Sequence, residues 1–164
     1  MFKTSVIAAS LAVSLLGAGS VFAAGEASTN ISITATVFKD DFRVQPINDD
    51  FGRNETMTHN TSTNKLSTVG SRYNVKNTAG SIHAYVEGGS PSLTNGSTAI
   101  PMTVLFNNVT LTGAPQEVVS DAASTPGTQV DLLVRADDPT ENDVGDFTSN
   151  FVVMFDSVVR PVTP

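Results

Sequence analysis

The sequence predicts an all-β fold of the sandwich type. Beyond residue 23 the chain is rich in Thr, Val, Ser and Asn, and turn signals recur about every 8–12 residues, a spacing typical of β-sandwiches. No segment shows three turns of amphipathic helical periodicity. The 164 residues contain no internal repeat, and after removal of a leader they fit one domain.

The first 23 residues have the features of a signal peptide. Lys3 supplies a positive charge, Val6–Gly17 is an apolar core too short to span a bilayer, and Val21-Phe22-Ala23 has the form of a small-residue cleavage site. We therefore expect cleavage after Ala23 and export, with an uncleaved membrane anchor as the alternative. The mature chain would carry 16 acidic and 8 basic residues, a formal charge of −8. This balance argues against nucleic acid or an anionic membrane surface as a partner.

Alternation of apolar and polar residues predicts the strands of the first half. Ile31–Phe38 alternates without a break, so it is either the first strand of an ordinary sandwich or a strand donated to a neighbouring subunit. Phe42–Ile47 predicts a shorter strand, and the polar residues 48–64 predict a loop with at most a weak strand. Two further strands are expected around Gly70-Ser71, at Leu66–Val69 and Arg72–Lys76.

Turn residues divide the next part of the chain. Ile82, Ala84 and Val86 alternate with polar residues, which predicts a strand with one buried face that ends at Gly88-Gly89-Ser90-Pro91. Asn95-Gly96 is a turn signal. A hairpin across Asn107-Asn108, a dipeptide that tolerates positive φ, is expected to join two strands, Pro101–Phe106 and Val109–Leu111.

The last third contains the most apolar strand. Gln116–Val119 predicts a short edge strand, and residues 120–128 predict a loop. Gln129–Arg135 alternates, with its inner face formed by Val130, Leu132 and Val134. After a loop that ends near Gly145, Phe147–Val159 contains the most apolar run, Phe151–Phe155, which predicts a central strand buried on both faces.

The sequence contains no recognisable catalytic centre. Because the chain lacks cysteine, it has no disulfide, thiolate metal site or cysteine nucleophile. Its only histidines, His59 and His83, lack the context of a catalytic motif and are interpreted as surface residues. The acidic loop Asp137–Asp143 is compatible with Ca²⁺ but lacks the EF-hand order of ligands, so a solvated loop is favoured. We expect no catalytic residue, no metal ion and no cofactor.

Three stretches resemble the major pilins of the CS1-type (class 5, alternate chaperone) fimbrial family. The segment Asn30-Ile31-Ser32-Ile33-Thr34-Ala35-Thr36-Val37 is similar to the N-I-T-V-T-A-S-V at the mature N-terminus of these pilins. The family's P-x-L-T, M-P-I-x-V and V-L-S/T motifs have counterparts at Pro91–Thr94, Ile100–Val104 and Val109–Thr112. The stretch Gly145–Phe155 is similar to the family's closing strand.

The resemblance implies an incomplete immunoglobulin-like β-sandwich that is completed by a donor strand from a neighbouring subunit. Residues 24–38 would form the donor-strand arm and residues 39–164 the pilin domain. The arm residues that would enter the neighbour are Ile31, Ile33, Ala35 and Val37. Their burial would contribute on the order of 5–9 kcal/mol before the ordering entropy of the arm is subtracted. Because a head-to-tail contact need not close, an open fibre would form.

The function implied by the resemblance is that of a structural pilin subunit in a fimbria used for cell adhesion. Its implied partners are other copies of itself, a periplasmic chaperone, an outer-membrane usher and a tip adhesin, with export through the periplasm to the cell surface. Three departures from the family pattern leave both shaft and minor subunits open, and they are Phe38-Lys39-Asp40, Asn150 and the continuation past Phe155. The alternative functions are a secreted monomeric β-sandwich that binds a receptor or carbohydrate, and a small secreted hydrolase.

Overall fold

The computed structural model describes residues 41–161. The predicted signal peptide (1–23), donor-strand arm (24–38) and strand Ile31–Phe38 lie outside the described residues. Within residues 41–161 the elements, in chain order, are β1 (Phe42–Pro46), β2 (His59–Asn60), β3 (Lys65–Leu66), β4 (Val69–Asn77), β5 (Gly80–Val86), β6 (Ser92–Thr94), β7 (Ala99–Phe106), β8 (Val109–Thr110), β9 (Gln116–Val119), α1 (Asp121–Ser124), β10 (Thr128–Ala136) and β11 (Val153–Val159).

The strands form two main antiparallel sheets and one small hairpin. The larger sheet has the order β1-β4-β10-β7-β6, with β8 also paired to β7. The smaller sheet has the order β11-β5-β9, and β2 pairs with β3 alone. The predicted all-β sandwich is therefore confirmed. In the part of the chain that the structure describes, no helix is long and apolar enough to cross a bilayer.

The two sheets enclose one hydrophobic core between their inner faces. Alternate residues of the central strands are buried there because successive side chains of a strand point to opposite faces. They are Val75, Met102, Val104, Phe106, Val130, Leu132 and Val134 in the larger sheet and Ile82, Ala84 and Val86 in β5. The edge strand β9 adds the consecutive residues Val118 and Val119, next to a register shift in its pairing with β5. The inner faces predicted for β5 and β10 are confirmed.

The predicted hairpin between β7 and β8 is confirmed together with its turn. Asn107 and Asn108 have φ angles of 51° and 62°, the left-handed conformation that a tight two-residue hairpin requires. The Asn107 side chain also donates a 2.6 Å hydrogen bond to the Val118 carbonyl of β9. This bond connects the end of the larger sheet to the smaller sheet.

The predicted interruption at Gly70-Ser71 was wrong, because β4 runs through both residues. Gly70 is required by close packing instead of by a turn. A Cβ atom at this position would lie 2.5 Å from the Leu132 carbonyl oxygen and 2.7 Å from Leu133 Cδ2. Part of the predicted loop 120–128 also differs, since it contains the single helical turn α1.

The prediction that Phe151–Phe155 belongs to a central strand buried on both faces was also wrong. In residues 41–161, β11 pairs with β5 only and forms the edge of the smaller sheet. Its residues are at most half-buried, and Met154 on its outer face is 38% exposed. The most apolar run of the chain therefore lies on an edge strand of the smaller sheet.

Candidate functional site

The two sheets have open edges on the same side of the sandwich. Among the described residues, β1 pairs with β4 alone and β11 pairs with β5 alone. β4 and β5 follow each other through the short turn at Thr78-Ala79. The ring of Tyr73 in β4 lies with its centroid 6.3 Å from that of Phe155 in β11, so the strand next to β1 faces the edge strand β11 across the core.

Burial falls abruptly between β5 and β11. Ile82, Ala84 and Val86 of β5 are 0% exposed. Their direct partners on the same inner face of β11 are partly or largely exposed, and they are Ser157, Phe155 and Val153. Val159, opposite the buried Gly80, is 66% exposed. Among the described residues, the exposure of the inner face thus rises within one strand, from β5 to the edge strand β11.

In the larger sheet, the exposure of inner-face residues rises in the same way between β4 and β1. Val75 and Asn77 of β4 are 2% and 0% exposed. Their partners on the inner face of β1 are Val44, which is half-buried, and Phe42, which is 40% exposed. In the described residues, the edge strands β1 and β11 are thus both more exposed on their inner faces than the strands beside them, and the space along these two edges is called the groove below.

Aromatic rings form the floor of this groove. Phe155 packs edge-on against the fully buried Phe106 at a centroid distance of 4.9 Å, and Tyr73 contacts Phe106 at 5.5 Å. Phe51, from the loop after β1, adds an edge-to-face contact with Tyr73 at 6.2 Å. Burial raises the pKa of the Tyr73 phenol above its ordinary value. Sequence reasoning missed Tyr73 and Phe51, because neither lies in an unbroken apolar pattern.

The groove has the properties of an acceptor for an extended segment. It is bounded by two strand edges, which present backbone hydrogen-bonding groups in the spacing of a β-ladder. Its apolar inner residues repeat every second position, and so would the side chains of an inserted strand. The arrangement can therefore bind a β-strand with alternating apolar residues, and it has no feature that points to chemistry on a small molecule.

Arg160 fixes one end of the groove. Its guanidinium donates two hydrogen bonds to the Asp121 carboxylate of α1, at 2.7 and 2.9 Å, and one to the Thr78 carbonyl at 3.1 Å. Its backbone N–H donates to the Ala79 carbonyl at 2.9 Å. Thr78 in turn donates its backbone N–H to the Asp41 carbonyl, next to β1. The end of β11 and the start of β1 are thus attached to the same turn.

The Arg160–Asp121 pair predicts a pH-dependent contribution to stability. The hydrogen bond from Arg160, with a second from Thr125, holds the pKa of the Asp121 carboxyl below its ordinary value. The folded state therefore favours the carboxylate, and the contribution is fully present at neutral pH and is lost as the pH falls through the depressed pKa. We expect Asp121→Asn to lower the thermal unfolding midpoint at pH 7 and to have less effect as the pH falls below about 4. A difference from the parent that is constant with pH would contradict this assignment.

The other residues singled out in the sequence lie away from the groove. His59 is exposed, with Nε2 3.0 Å from Asn64 Oδ1, and His83 lies on the outer face of β5. In the acidic loop, Asp138 forms an ion pair with Lys65 at 3.1 Å, and Asp143 accepts hydrogen bonds from Thr140, which lower its pKa. Within residues 41–161 no three acidic or imidazole side chains converge on a possible metal position. The predicted donor residues lie outside the described residues.

Comparison with known proteins gives one family. The family model described as CS1 type fimbrial major subunit matches residues 27–156, which is most of the chain. No curated protein matches the chain. Among solved structures, the CooA pilin subunit from enterotoxigenic Escherichia coli is similar at 14% identity with a TM-score of 0.42, over 64% of this chain and 88% of that one. The family match ends at Asp156 in β11, so Ser157, Val159 and Arg160 lie beyond it.

Proposed function

Because the chain belongs to the CS1 type fimbrial major subunit family and is a structural subunit of a fimbria, we propose that its copies join by donor-strand complementation. In this mechanism the arm of one subunit, residues 24–38, inserts into the groove between β1 and β11 of the next. The observation that carries the proposal is the loss of cover beside β5, where 0% exposed residues have partners on β11 that are half-buried or exposed. A strand added at this edge would complete the core.

The arm and the groove match in number and spacing. The arm has four apolar residues at every second position, and β11 turns four residues toward the groove at the same spacing. An antiparallel alignment pairs Val37 with Val153, Ala35 with Phe155, Ile33 with Ser157 and Ile31 with Val159. The smallest arm residue then lies opposite the largest groove residue, and a large arm residue lies opposite the smallest. A parallel alignment would pair large with large, so size complementarity favours the antiparallel one.

The contact supplies enough free energy for a durable joint. Burial of the four arm side chains contributes on the order of 5–9 kcal/mol, less the entropy of ordering the arm. Backbone hydrogen bonds to β1 and β11 add to this. Since each subunit gives its arm to one neighbour and receives an arm from another, the joint is heterologous and the polymer stays open.

The open groove also implies helper proteins before assembly. An exposed apolar strand edge promotes aggregation, so we infer that a periplasmic chaperone covers the groove and that an outer-membrane usher exchanges it for the arm. Export then depends on residues 1–23 as a signal peptide, and the fibre carries a tip adhesin at the cell surface. The family is one of structural subunits and not of enzymes, and we propose that this subunit has no catalytic role.

A self-complemented chain tests the proposal. The arm is removed from the N-terminus, and residues 28–38 are attached behind Pro164 through a short flexible linker, which allows them to run antiparallel to β11. We expect a stable monomer that forms no fibres and unfolds at a higher temperature than the chain without any arm, because the groove is filled within the molecule.

The matched control for this experiment carries Ile33→Asp in the attached segment. It has the same length and linker, but a carboxylate would enter the groove, so the gain in unfolding temperature should disappear. If both chains unfold at the same temperature as the chain without an arm, the groove does not accept this segment and the proposed mechanism is wrong.

A further inference from the structure

Positive charge is concentrated on the outer face of the larger sheet, although the chain as a whole is acidic. The outward positions of β1, β4 and β10 hold four of the seven basic residues in 41–161 but only one of the fourteen carboxylates. The four basic residues are Arg43, Arg72, Lys76 and Arg135. These outward positions are called the basic face below, and the groove does not use them, because it lies along the inner faces of the edge strands.

Two of the cations meet at a depression of about 260 Å³. Arg43 of β1 and Lys76 of β4 are direct cross-strand partners, which brings their Cβ atoms to within about 5.5 Å of each other. Gly127 lies beside them without a side chain, and a Cβ atom there would be 3.7 Å from Lys76 Cβ and Cγ. The space next to the two cations is therefore open, and no acidic residue of the part 41–161 lines it.

Amide groups complete the lining of this depression. Asn74 and Gln129 lie beside it, and Gln129 Nε2 donates a 3.0 Å hydrogen bond to Asn74 Oδ1. Arg43 Nε donates a 2.7 Å hydrogen bond to Gln45 Oε1, which holds the guanidinium in place. A guanidinium, an ammonium and amide N–H groups are the donors that bind the oxygens of sulfate or carboxylate groups. The depression can therefore hold one such anion.

The basic face continues beyond this depression along β4 and β10. Gln129 also lines a shallow depression of about 680 Å³, together with Arg72, Ile47 and Leu133. Arg72 forms a 3.3 Å ion pair with Asp131, and the two side chains are 61% and 59% exposed. Since such an exposed pair contributes little to stability, an anionic ligand can displace the carboxylate. The two depressions adjoin at Gln129 and together form a track for a linear ligand with repeated anionic groups.

We propose that the basic face binds a sulfated polysaccharide. Its sulfate groups would contact Arg43 and Arg72, and the apolar faces of its sugar rings would lie against Ile47 and Leu133. Nucleic acid is a poorer match, because the outward positions of β1, β4 and β10 hold no aromatic side chain on which bases could stack. At physiological salt, exposed charges more than about 8 Å apart are largely screened, so the charges of this face decide binding here more than the net charge of the chain does.

Repetition of the basic face along a fibre strengthens a weak contact. A single exposed site binds an anion weakly, because water and salt compete for it. Copies of the chain in a fimbria present the same face many times to one polysaccharide, and linked binding events raise the overall affinity by about 10²–10⁴ without any new contact. The inference does not depend on the donor-strand mechanism, since it requires only that the chain is a fimbrial subunit.

Retention of purified fibres on coated beads tests the ligand. One set of beads carries dextran sulfate and the other carries neutral dextran, which has the same sugar backbone. We expect the fibres to be retained by dextran sulfate alone and to be released by added salt, because salt screens the ionic contacts. Retention by both bead types, or by neither, would overturn the proposal.

A double variant, Arg43→Gln with Lys76→Gln, tests the basic face itself. It removes both cations from the 260 Å³ depression, and we expect retention on dextran sulfate to fall by about tenfold or more, because a small loss per subunit multiplies over the copies in a fibre. The control, Arg53→Gln with Lys65→Gln, changes the net charge by the same amount outside both depressions and should keep the retention of the parent. Equal retention by the two double variants would mean that the polysaccharide responds to net charge or binds elsewhere on the fibre, and would overturn the proposal.

Electron microscopy checks that both double variants form fibres of the parent length. If the first forms none, Arg43→Gln and Arg43→Lys replace it, and we expect Arg43→Gln to lower retention while Arg43→Lys keeps most of it, since it keeps the charge. Equal retention by these two single variants would contradict the assignment. Vesicles that contain phosphatidylserine are the last probe, and fibres that bind them but not dextran sulfate would have a membrane ligand instead of a polysaccharide.

Discussion

Replacement of Ile33 by aspartate in the full chain is expected to abolish fibre formation while export to the periplasm continues. The variant loses about 1.5–3 kcal/mol of apolar burial at one joint. It also brings an unpaired carboxylate into an apolar groove, which costs several kcal/mol more. Since about 1.4 kcal/mol corresponds to a factor of ten, each joint weakens by three or more orders of magnitude. Electron microscopy of cells and unheated SDS gels of the periplasm would measure fibres and multimers.

Thr34→Asp is the matched control for this experiment. It introduces the same side chain one position along the same arm, but an alternating strand directs residue 34 away from the groove. Fibres of ordinary length are expected, with at most a small loss in number. If Thr34→Asp stops assembly and Ile33→Asp does not, the arm inserts with the face of Thr34, instead of the face of Ile33, toward the groove. If neither variant stops assembly, the arm does not connect the subunits.

Gly80→Ala is expected to have the largest effect on the fold itself. A Cβ atom at residue 80 would overlap the Val158 carbonyl oxygen and lie 2.7 Å from the Arg160 backbone nitrogen. Both are main-chain atoms of β11 and its end, so no side-chain rotation relieves the overlap. The end of β11 must move away from β5, which removes one wall of the groove. We expect a loss of about 3 kcal/mol in the free energy of unfolding, measured by urea denaturation of the self-complemented chain.

Gly113→Ala serves as the control for that loss. The nearest atoms to a Cβ at residue 113 are those of Gly89, at 3.3 and 3.4 Å, so a shift of a few tenths of an ångström is enough. Its destabilisation should be well below that of Gly80→Ala, and assembly should persist. Equal stability of the two variants would show that the end of β11 is not held against Gly80.

The sequence predicted most of the strands because their signals are local. Alternation gave the inner faces of β5 and β10, and Asn107-Asn108 gave the hairpin turn. The same local reasoning failed at Gly70, where the need for glycine comes from Leu133 on a different strand. It also failed at α1, a single turn too short to show helical periodicity.

The wrong prediction for β11, that it is a central strand, bears directly on function. An apolar run such as Phe151–Phe155 indicates that both faces will be covered, but it does not indicate by which chain. In residues 41–161 the strand is an edge, with its inner face open to the groove and its outer face exposed. The proposed arm of a neighbour would supply the cover that the run implies on the inner face.

By itself, the sequence determined the all-β class, the acidic charge, the absence of cysteine and the alternating segment Asn30–Val37, because these follow from composition and from neighbours along the chain. Only the tertiary structure decided that β1 and β11 form facing edges, that Tyr73 and Phe155 make the floor between them, and that Arg160 fixes one end. The physical reason is that a groove is the absence of a strand beside two others, and such an absence exists only after strands distant in sequence have paired.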